Sequence, residues 1–217
     1  MQQTIAPLYC VCNTGGNRET SETMSEQATL SQTARRAMID SQLRTCGVNE
    51  PWVLAAMAAL PREDFVPAAA REAAYIDRAI PLGDGHFLAA PLVHARLLAE
   101  GAPSRTTRAL VVTGGTTYLA ELLRPLVASL DVTPAGSPPP GAGYDLILID
   151  GAAEVLDDAL VAALAEGGRI VTGLVERGVT RLATGCKVAG TLSLLPLAEI
   201  GIPVLDAFAA PRRWRFG

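Results

Sequence analysis

Four consecutive aliphatic residues, Leu146 to Ile149, lie between Tyr144 and the acidic residue Asp150. A strand that is apolar on both faces is typical of the interior of a parallel sheet covered by helices on both sides. After residue 105 such apolar segments alternate with helical ones, which predicts an α/β fold with a mostly parallel sheet. The other strands that we predict are Ala109–Val112, Leu130–Thr133, Arg169–Thr172, Val179–Ala183, Thr191–Leu195 and Pro203–Leu205, the later ones partly antiparallel.

The part of the chain before residue 105 has a helical pattern instead. We predict helices at Ser31–Cys46, at Pro51–Leu60 with Asn49 as the N-cap, and at Pro91–Glu100, with a loop over Pro81–Pro91. The chain is therefore expected to contain a disordered N-terminal tail (1–27), a small helical cap (28–104) and an α/β core (105–217). The tail has neither the basic start nor the long apolar stretch of a signal peptide.

Composition excludes several classes of protein. Hydrophobic residues make up 49% of the 217 residues and charged residues 18%, so the chain can bury a core and is not a disordered protein. The net charge of −4 argues against nucleic-acid binding, and no apolar run reaches the roughly 18–20 residues of a membrane helix. The cysteines, Cys10, Cys12, Cys46 and Cys186, lack the spacing of a metal site, so we expect free thiols, no bound metal and a cytoplasmic location.

A candidate ligand site follows from the sheet, because ligands of α/β proteins lie beyond the carboxyl ends of the strands. This edge should bring together the loop Thr113–Thr117, the region of Asp131, and Asp150 with Gly151. Gly114 and Gly115 would let a ligand approach the backbone closely. The loop matches neither the dinucleotide-binding glycine pattern nor a P-loop, which disfavours a nicotinamide-dependent oxidoreductase.

Four motifs, in order along the chain, resemble the protein-L-isoaspartate O-methyltransferase family from about Ala34 to Phe216. They are Met38–Gly47, Val53–Pro67 with its Leu-Pro-Arg-Glu-Asp-Phe-Val-Pro, Ala74–Gly83, and Tyr144–Val171. The resemblance implies a Rossmann-like S-adenosylmethionine-dependent methyltransferase fold. It also implies methyl transfer from S-adenosylmethionine to the carboxylate of isoaspartyl residues in damaged proteins. The residues placed at the cofactor site are Thr113, Gly114, Gly115, Asp131 and Asp150, and those of the substrate loop are Gly85, His86 and Ala89.

The chain departs from the family pattern at these motifs. The family's substrate loop reads Gly-Gln-Thr-Ile-Ser-Gln-Pro, whereas here Phe87, Ala89 and Ala90 replace the threonine, the serine and the second glutamine. In the first cofactor motif Val111 replaces an acidic residue, and Gly115 is the one family glycine that remains. Only 25 residues separate Tyr118 from Tyr144, so about one βα unit of the family core has been lost.

Individual polar residues keep two interpretations each. Asp131 is either the remaining carboxylate for the ribose hydroxyls or a solvated turn residue. Asp150 either faces the ligand or caps the following helix. His86 either belongs to the substrate site or is a surface loop residue, while His94 is expected to be structural and Asp84 to form a turn.

The sequence therefore predicts a member of this family with weak or lost activity. The alternative is a methyltransferase-fold protein that binds a partner or acts as a scaffold without catalysis. The oligomeric state does not follow from the sequence.

Overall fold

The computed structural model describes residues 29–210, so the predictions for the N-terminal tail and for Cys10 and Cys12 lie outside the described residues. Cys46 and Cys186 are exposed free thiols. Within residues 29–210, no helix combines the length and the apolar character needed to cross a bilayer.

The strands of this part of the chain form a hairpin and one central sheet. The hairpin pairs β1 (Ile80–Gly83) with β2 (His86–Leu88), and the sheet contains β3 (Arg108–Thr113), β4 (Ser129–Pro134), β5 (Tyr144–Ala153), β6 (Leu164–Glu176), β7 (Val179–Val188) and β8 (Thr191–Glu199). The strand order is β4-β3-β5-β6-β7-β8, with β3 to β6 parallel and β7 and β8 antiparallel. The predicted α/β fold with a mostly parallel sheet is confirmed.

Helices lie on both faces of the sheet. The chain is helical over 29–38 (α1), continues as a π-turn at Ile39–Leu43, and forms α2 (Pro51–Ala59), α3 (Pro91–Gly101), α4 (Tyr118–Leu123) and α5 (Asp158–Ala163). Short 3-10 turns lie at Arg62–Phe65, Ala68–Ala73, Arg124–Leu126 and Asp206–Phe208.

Strand β5 shows why its sequence is apolar throughout. Leu146 and Leu148 pack into the core beneath α2, α3 and α4, while Ile147 and Ile149 pack on the opposite face against α5. All four side chains are at most 2% exposed. Because successive side chains of a strand alternate between faces, a strand with two covered faces needs apolar residues at every position.

Local differences from the sequence predictions have identifiable causes. Asn49 does not cap α2: the N-cap is Glu50, with no side-chain capping bond, and the Asn49 N–H donates to the Glu50 carboxylate. The predicted loop Pro81–Pro91 is wrong in part, because β1 and β2 pair across a tight turn at Asp84 and Gly85. Both turn residues have positive φ, 49° and 78°, which Asp and Gly tolerate best, so Asp84 does form a turn.

The region between α4 and β5 is short. After α4 and one 3-10 turn the chain forms only β4, an edge strand, and then reaches β5 through a turn. At the other end, Val204 forms an isolated parallel bridge with Ala152, which brings residues 203–207 over the carboxyl edge of the sheet.

A hydrogen-bonded hub at Tyr75 joins three segments of the helical cap. The Tyr75 hydroxyl donates to the Glu63 carboxylate and accepts from Arg35 Nε at 2.8 Å and from the Arg62 backbone N–H at 3.3 Å. Burial, together with the bond to Glu63, raises the pKa of Tyr75 to about 12. The folded protein therefore holds the phenol protonated at a pH where the unfolded chain would release the proton.

The Tyr75→Phe variant should be less stable by about 1–3 kcal/mol at neutral pH, because its partners lose a buried bond. The raised pKa of Tyr75 also makes this difference in the free energy of unfolding depend on pH. The difference should be complete below about pH 10, the ordinary tyrosine pKa, and should decline as the pH rises from there toward the folded-state pKa. Urea unfolding of both proteins at about pH 8 and about pH 11 measures it. A stability difference that stays constant over this range would contradict the role given to the hydroxyl.

Candidate functional site

A cleft of about 640 Å³ opens at the carboxyl ends of β3 and β4. One wall is the loop Thr113–Thr117, a second is the hairpin turn Asp84–His86, and a third is the segment Val204–Ala207. Phe65 and the end of β4, at Pro134 and Ala135, complete it. The cleft lies where the topology predicted a ligand site, and it brings together Thr113, Gly114, Gly115, Gly85 and His86 from the sequence analysis.

The space beside each of the two glycines of the loop is filled by other residues of the same protein. A Cβ on Gly114 would collide with the backbone carbonyl oxygen of Asp150 and would lie 3.1 Å from Cδ2 of Leu205. A Cβ on Gly115, where φ is +120°, would overlap with the Cβ of His86 and lie 2.6 Å from its Cγ. Glycine is therefore needed at both positions for packing within the fold itself, without invoking a ligand.

Asp150 does not line the cleft; it is the last of three buried side chains, Arg62, His94 and Asp150, that hydrogen bonds join in a row. Its Oδ1 accepts from His94 Nε2 at 3.0 Å, and His94 Nδ1 accepts from Arg62 Nη1 at 3.1 Å. Arg62 and His94 are fully buried, and Asp150 is 3% exposed. The helix-cap interpretation of Asp150 is wrong, because Asp157 caps α5 by accepting from the Ala159 N–H at 2.8 Å.

The partners determine the tautomer of His94. A guanidinium can only donate hydrogen bonds, so Nδ1 must accept and the ring proton must lie on Nε2, which donates to Asp150. The three side chains are thus a cation (Arg62), a neutral ring (His94) and an anion (Asp150). Among the described residues, Asp150 Oδ2 is buried and has no hydrogen-bond partner.

Arg62 is the residue that the sequence analysis missed. Besides His94, it donates to the carbonyl oxygens of Ala74 (2.9 Å) and Ala89 (2.7 Å), and its guanidinium lies 4.8 Å from the centroid of the Tyr118 ring. Burial lowers the pKa of Arg62, and the nearby Tyr118 hydroxyl and Asp150 carboxylate oppose that shift. The sequence offered little signal, because Arg62 is followed by Glu63 and Asp64 and the three together are typical of a solvated charged turn.

Asp131 is engaged elsewhere and does not reach the cleft. It lies in the middle of β4, paired with Leu110 of β3, and accepts from the Tyr144 hydroxyl at 2.7 Å. Arg108 Nη2 lies 3.8 Å from the same carboxylate oxygen. The structure places Asp131 neither among the residues that line the cleft nor in a turn.

The substrate loop predicted from the resemblance is divided between two places. Gly85 and His86 face the cleft, whereas Ala89 is buried and its carbonyl holds Arg62. Phe87 and Ala90 line a second depression of about 680 Å³, which we call the apolar groove. Its opposite side is Ile200–Val204, and Val204 borders both the groove and the cleft.

The residues present do not fit S-adenosylmethionine in the way the resemblance implies. Val111, at the position of the acidic residue, is fully buried in the core beneath the helices. Strands β3 and β4 contribute no carboxylate to the cleft, and the acidic residues among the described walls are Asp84 and Asp206. In residues 29–210, no group of three or more His, Cys, Asp or Glu side chains could hold a metal ion.

Comparisons with known proteins agree on one family. The model of the protein-L-isoaspartate(D-aspartate) O-methyltransferase family matches residues 33–132. The protein-L-isoaspartate O-methyltransferase of Koribacter versatilis is 32% identical over 193 residues, 76% of this chain and 87% of that protein. The one from Methanoculleus marisnigri is 28% identical over 203 residues, 80% of this chain and 92% of that protein.

A solved structure extends the likeness to the fold. It is a Plasmodium falciparum protein described as a protein-L-isoaspartate O-methyltransferase in complex with S-adenosyl-L-homocysteine. The TM-score is 0.62 at 17% identity, and the match covers 82% of this chain and 98% of that one. The sequence matches cover most of the length of both relatives, and they agree with the motifs at Met38–Pro67 and Tyr144–Val171. The chain therefore belongs to the protein-L-isoaspartate O-methyltransferase family.

Proposed function

We propose that this protein keeps the family's methyltransferase fold and cleft, and transfers methyl groups from S-adenosylmethionine to isoaspartyl carboxylates weakly or not at all. The observation that carries the proposal is that residues of the same protein already fill the space beside the glycines of the loop. Gly114 and Gly115 contact Leu205 and His86 of the same chain, and the core holds Val111 where the resemblance calls for a carboxylate. A nucleoside ligand would find few of its expected partners.

The substrate side supports the same proposal. Phe87 and Ala90 give the groove an apolar wall, and Ala89 is turned into the interior. A substrate carboxylate is ionised at neutral pH, so its methylation needs alignment and exclusion of water rather than a general base. The family's threonine, serine and glutamine could supply such alignment, whereas Phe87, Ala89 and Ala90, which stand in their places, offer no polar side chain.

A second candidate function is binding without catalysis. It is favoured by the persistence of both the cleft and the groove in a well-packed fold, although their polar groups have been replaced. Isoaspartyl-containing proteins of the cytoplasm would be the ligands if the family's recognition survives without its chemistry.

Titration calorimetry with S-adenosylmethionine and with S-adenosylhomocysteine tests the proposal. We expect no saturable heat at concentrations that saturate a relative retaining the acidic residue at position 111. If the wild type does bind, Asp84→Asn shows whether the Asp84 carboxylate in the cleft wall replaces the missing acidic residue, because the variant would then bind more weakly. Tight binding of the demethylated product would contradict the proposal.

A further inference from the structure

The β1–β2 hairpin separates the two depressions of the candidate site. His86 forms part of the cleft wall, and the next residue, Phe87, forms part of the groove wall. Consecutive residues of a strand point to opposite sides, so one short strand faces both compartments. Val204, which borders both, marks where they would join.

The hairpin is anchored at one end only. Ile80 and Leu88, at its base, are 3% and 0% exposed and belong to the main core, whereas Gly83, Asp84, Gly85 and His86, at its tip, are exposed. Its two strands pair with each other and form a sheet separate from the central one. A segment with a buried base and an exposed tip can move at the tip without disturbing the core.

The contact of the tip with the glycine loop is steric. The Cβ, Cγ and Nδ1 atoms of His86 occupy the space beside Gly115 that any larger residue would need, with Nδ1 2.9 Å from the position of a Cβ. Among the described residues, no hydrogen bond or ion pair of the His86 ring accompanies this contact. The exposed His86 side chain thus lies against the backbone of Gly115, at a position where the loop has no side chain.

We propose that the β1–β2 hairpin is a lid between the cleft and the apolar groove, and that His86 seated on Gly115 is its closed latch. Lifting the tip would remove the wall that His86 and Phe87 share and join the two compartments. The inference rests on the proposed function only in taking the cleft and groove as the two ligand compartments. The closed latch then adds a physical reason for weak activity, since the two compartments are kept apart.

Hydrogen exchange of the full-length protein without ligand tests the latch. In His86→Ala, the amides of residues 84–87 and 115–117 should exchange at least about fivefold faster, the factor that corresponds to losing one modest contact. His86→Phe keeps a ring of similar width and should exchange like the wild type. Asp84→Asn is the matched control on the same tip, because asparagine tolerates the positive φ and Asp84 is not among the atoms nearest to Gly115.

Two outcomes would overturn the latch. One is unchanged exchange in His86→Ala; the other is equally accelerated exchange in His86→Ala and Asp84→Asn, which would mean that any change at the tip loosens it. These results are independent of the proposed function. Tight binding of S-adenosylhomocysteine by the wild type would contradict the proposed function, whereas the exchange rates alone would still test the latch.

Discussion

Methylation of an isoaspartyl peptide is expected to be at least about 10³-fold slower than by a family member that retains the polar substrate loop. Each hydrogen bond to a charged substrate group is worth about 1.5–3 kcal/mol, and Phe87, Ala89 and Ala90 remove three such partners. A loss of several kcal/mol corresponds to this factor, since about 1.4 kcal/mol changes a rate tenfold. Transfer of a labelled methyl group to the peptide measures it, with both proteins at the S-adenosylmethionine concentration that saturates the family member.

The matched control is the triple variant Phe87→Thr, Ala89→Ser and Ala90→Gln, which restores the polar residues of the loop. Its rate should rise less than 10³-fold, because the cleft still lacks a carboxylate from β3 or β4. Turnover of the wild type at the level of its relatives would show that other residues align the substrate, and would contradict the expectation.

Arg62→Met should lower the free energy of unfolding by about 3–5 kcal/mol. The substitution keeps an unbranched side chain but removes the cation that compensates Asp150 in a fully buried environment. It also leaves the carbonyl oxygens of Ala74 and Ala89 without their donor. Urea unfolding of the full-length chain measures the change.

Arg124→Met is the control for a surface ion pair. Arg124 pairs with Glu121 at 2.9 Å, but its side chain is 52% exposed, so its loss should cost less than about 1 kcal/mol. In Arg62→Met combined with Asp150→Asn, part of the stability should return, because the uncompensated charge is gone. A cost for Arg62→Met no larger than that for Arg124→Met would contradict the importance of the buried row of Arg62, His94 and Asp150.

Features set by local pattern could be predicted from the sequence. The uniform apolarity of Leu146–Ile149 indicated a strand with two covered faces, and the position of Thr113–Thr117 after β3 placed the cleft. The strand depends on its own residues alone, and the first wall of the cleft on its place after β3, whereas the other walls come from distant segments of the chain. Alternation and strand direction are sufficient to locate the strand and this first wall.

Features that depend on distant contacts could not be predicted. Arg62, His94 and Asp150 come together from a 3-10 turn, a helix and a strand, and no local pattern links their positions. The partner of Asp131 is Tyr144 on β5, and its place within β4 became clear only from the strand register. The hairpin carried a signal, Asp84-Gly85, that the prolines at 81 and 91 obscured.

A crystal structure of the full chain, grown with S-adenosylhomocysteine at a concentration that saturates its relatives, shows directly whether the cleft still binds a nucleoside. We expect a cleft without an ordered nucleoside, with His86 still in contact with Gly115. An ordered nucleoside whose ribose hydroxyls are held by a carboxylate of this chain would contradict this expectation.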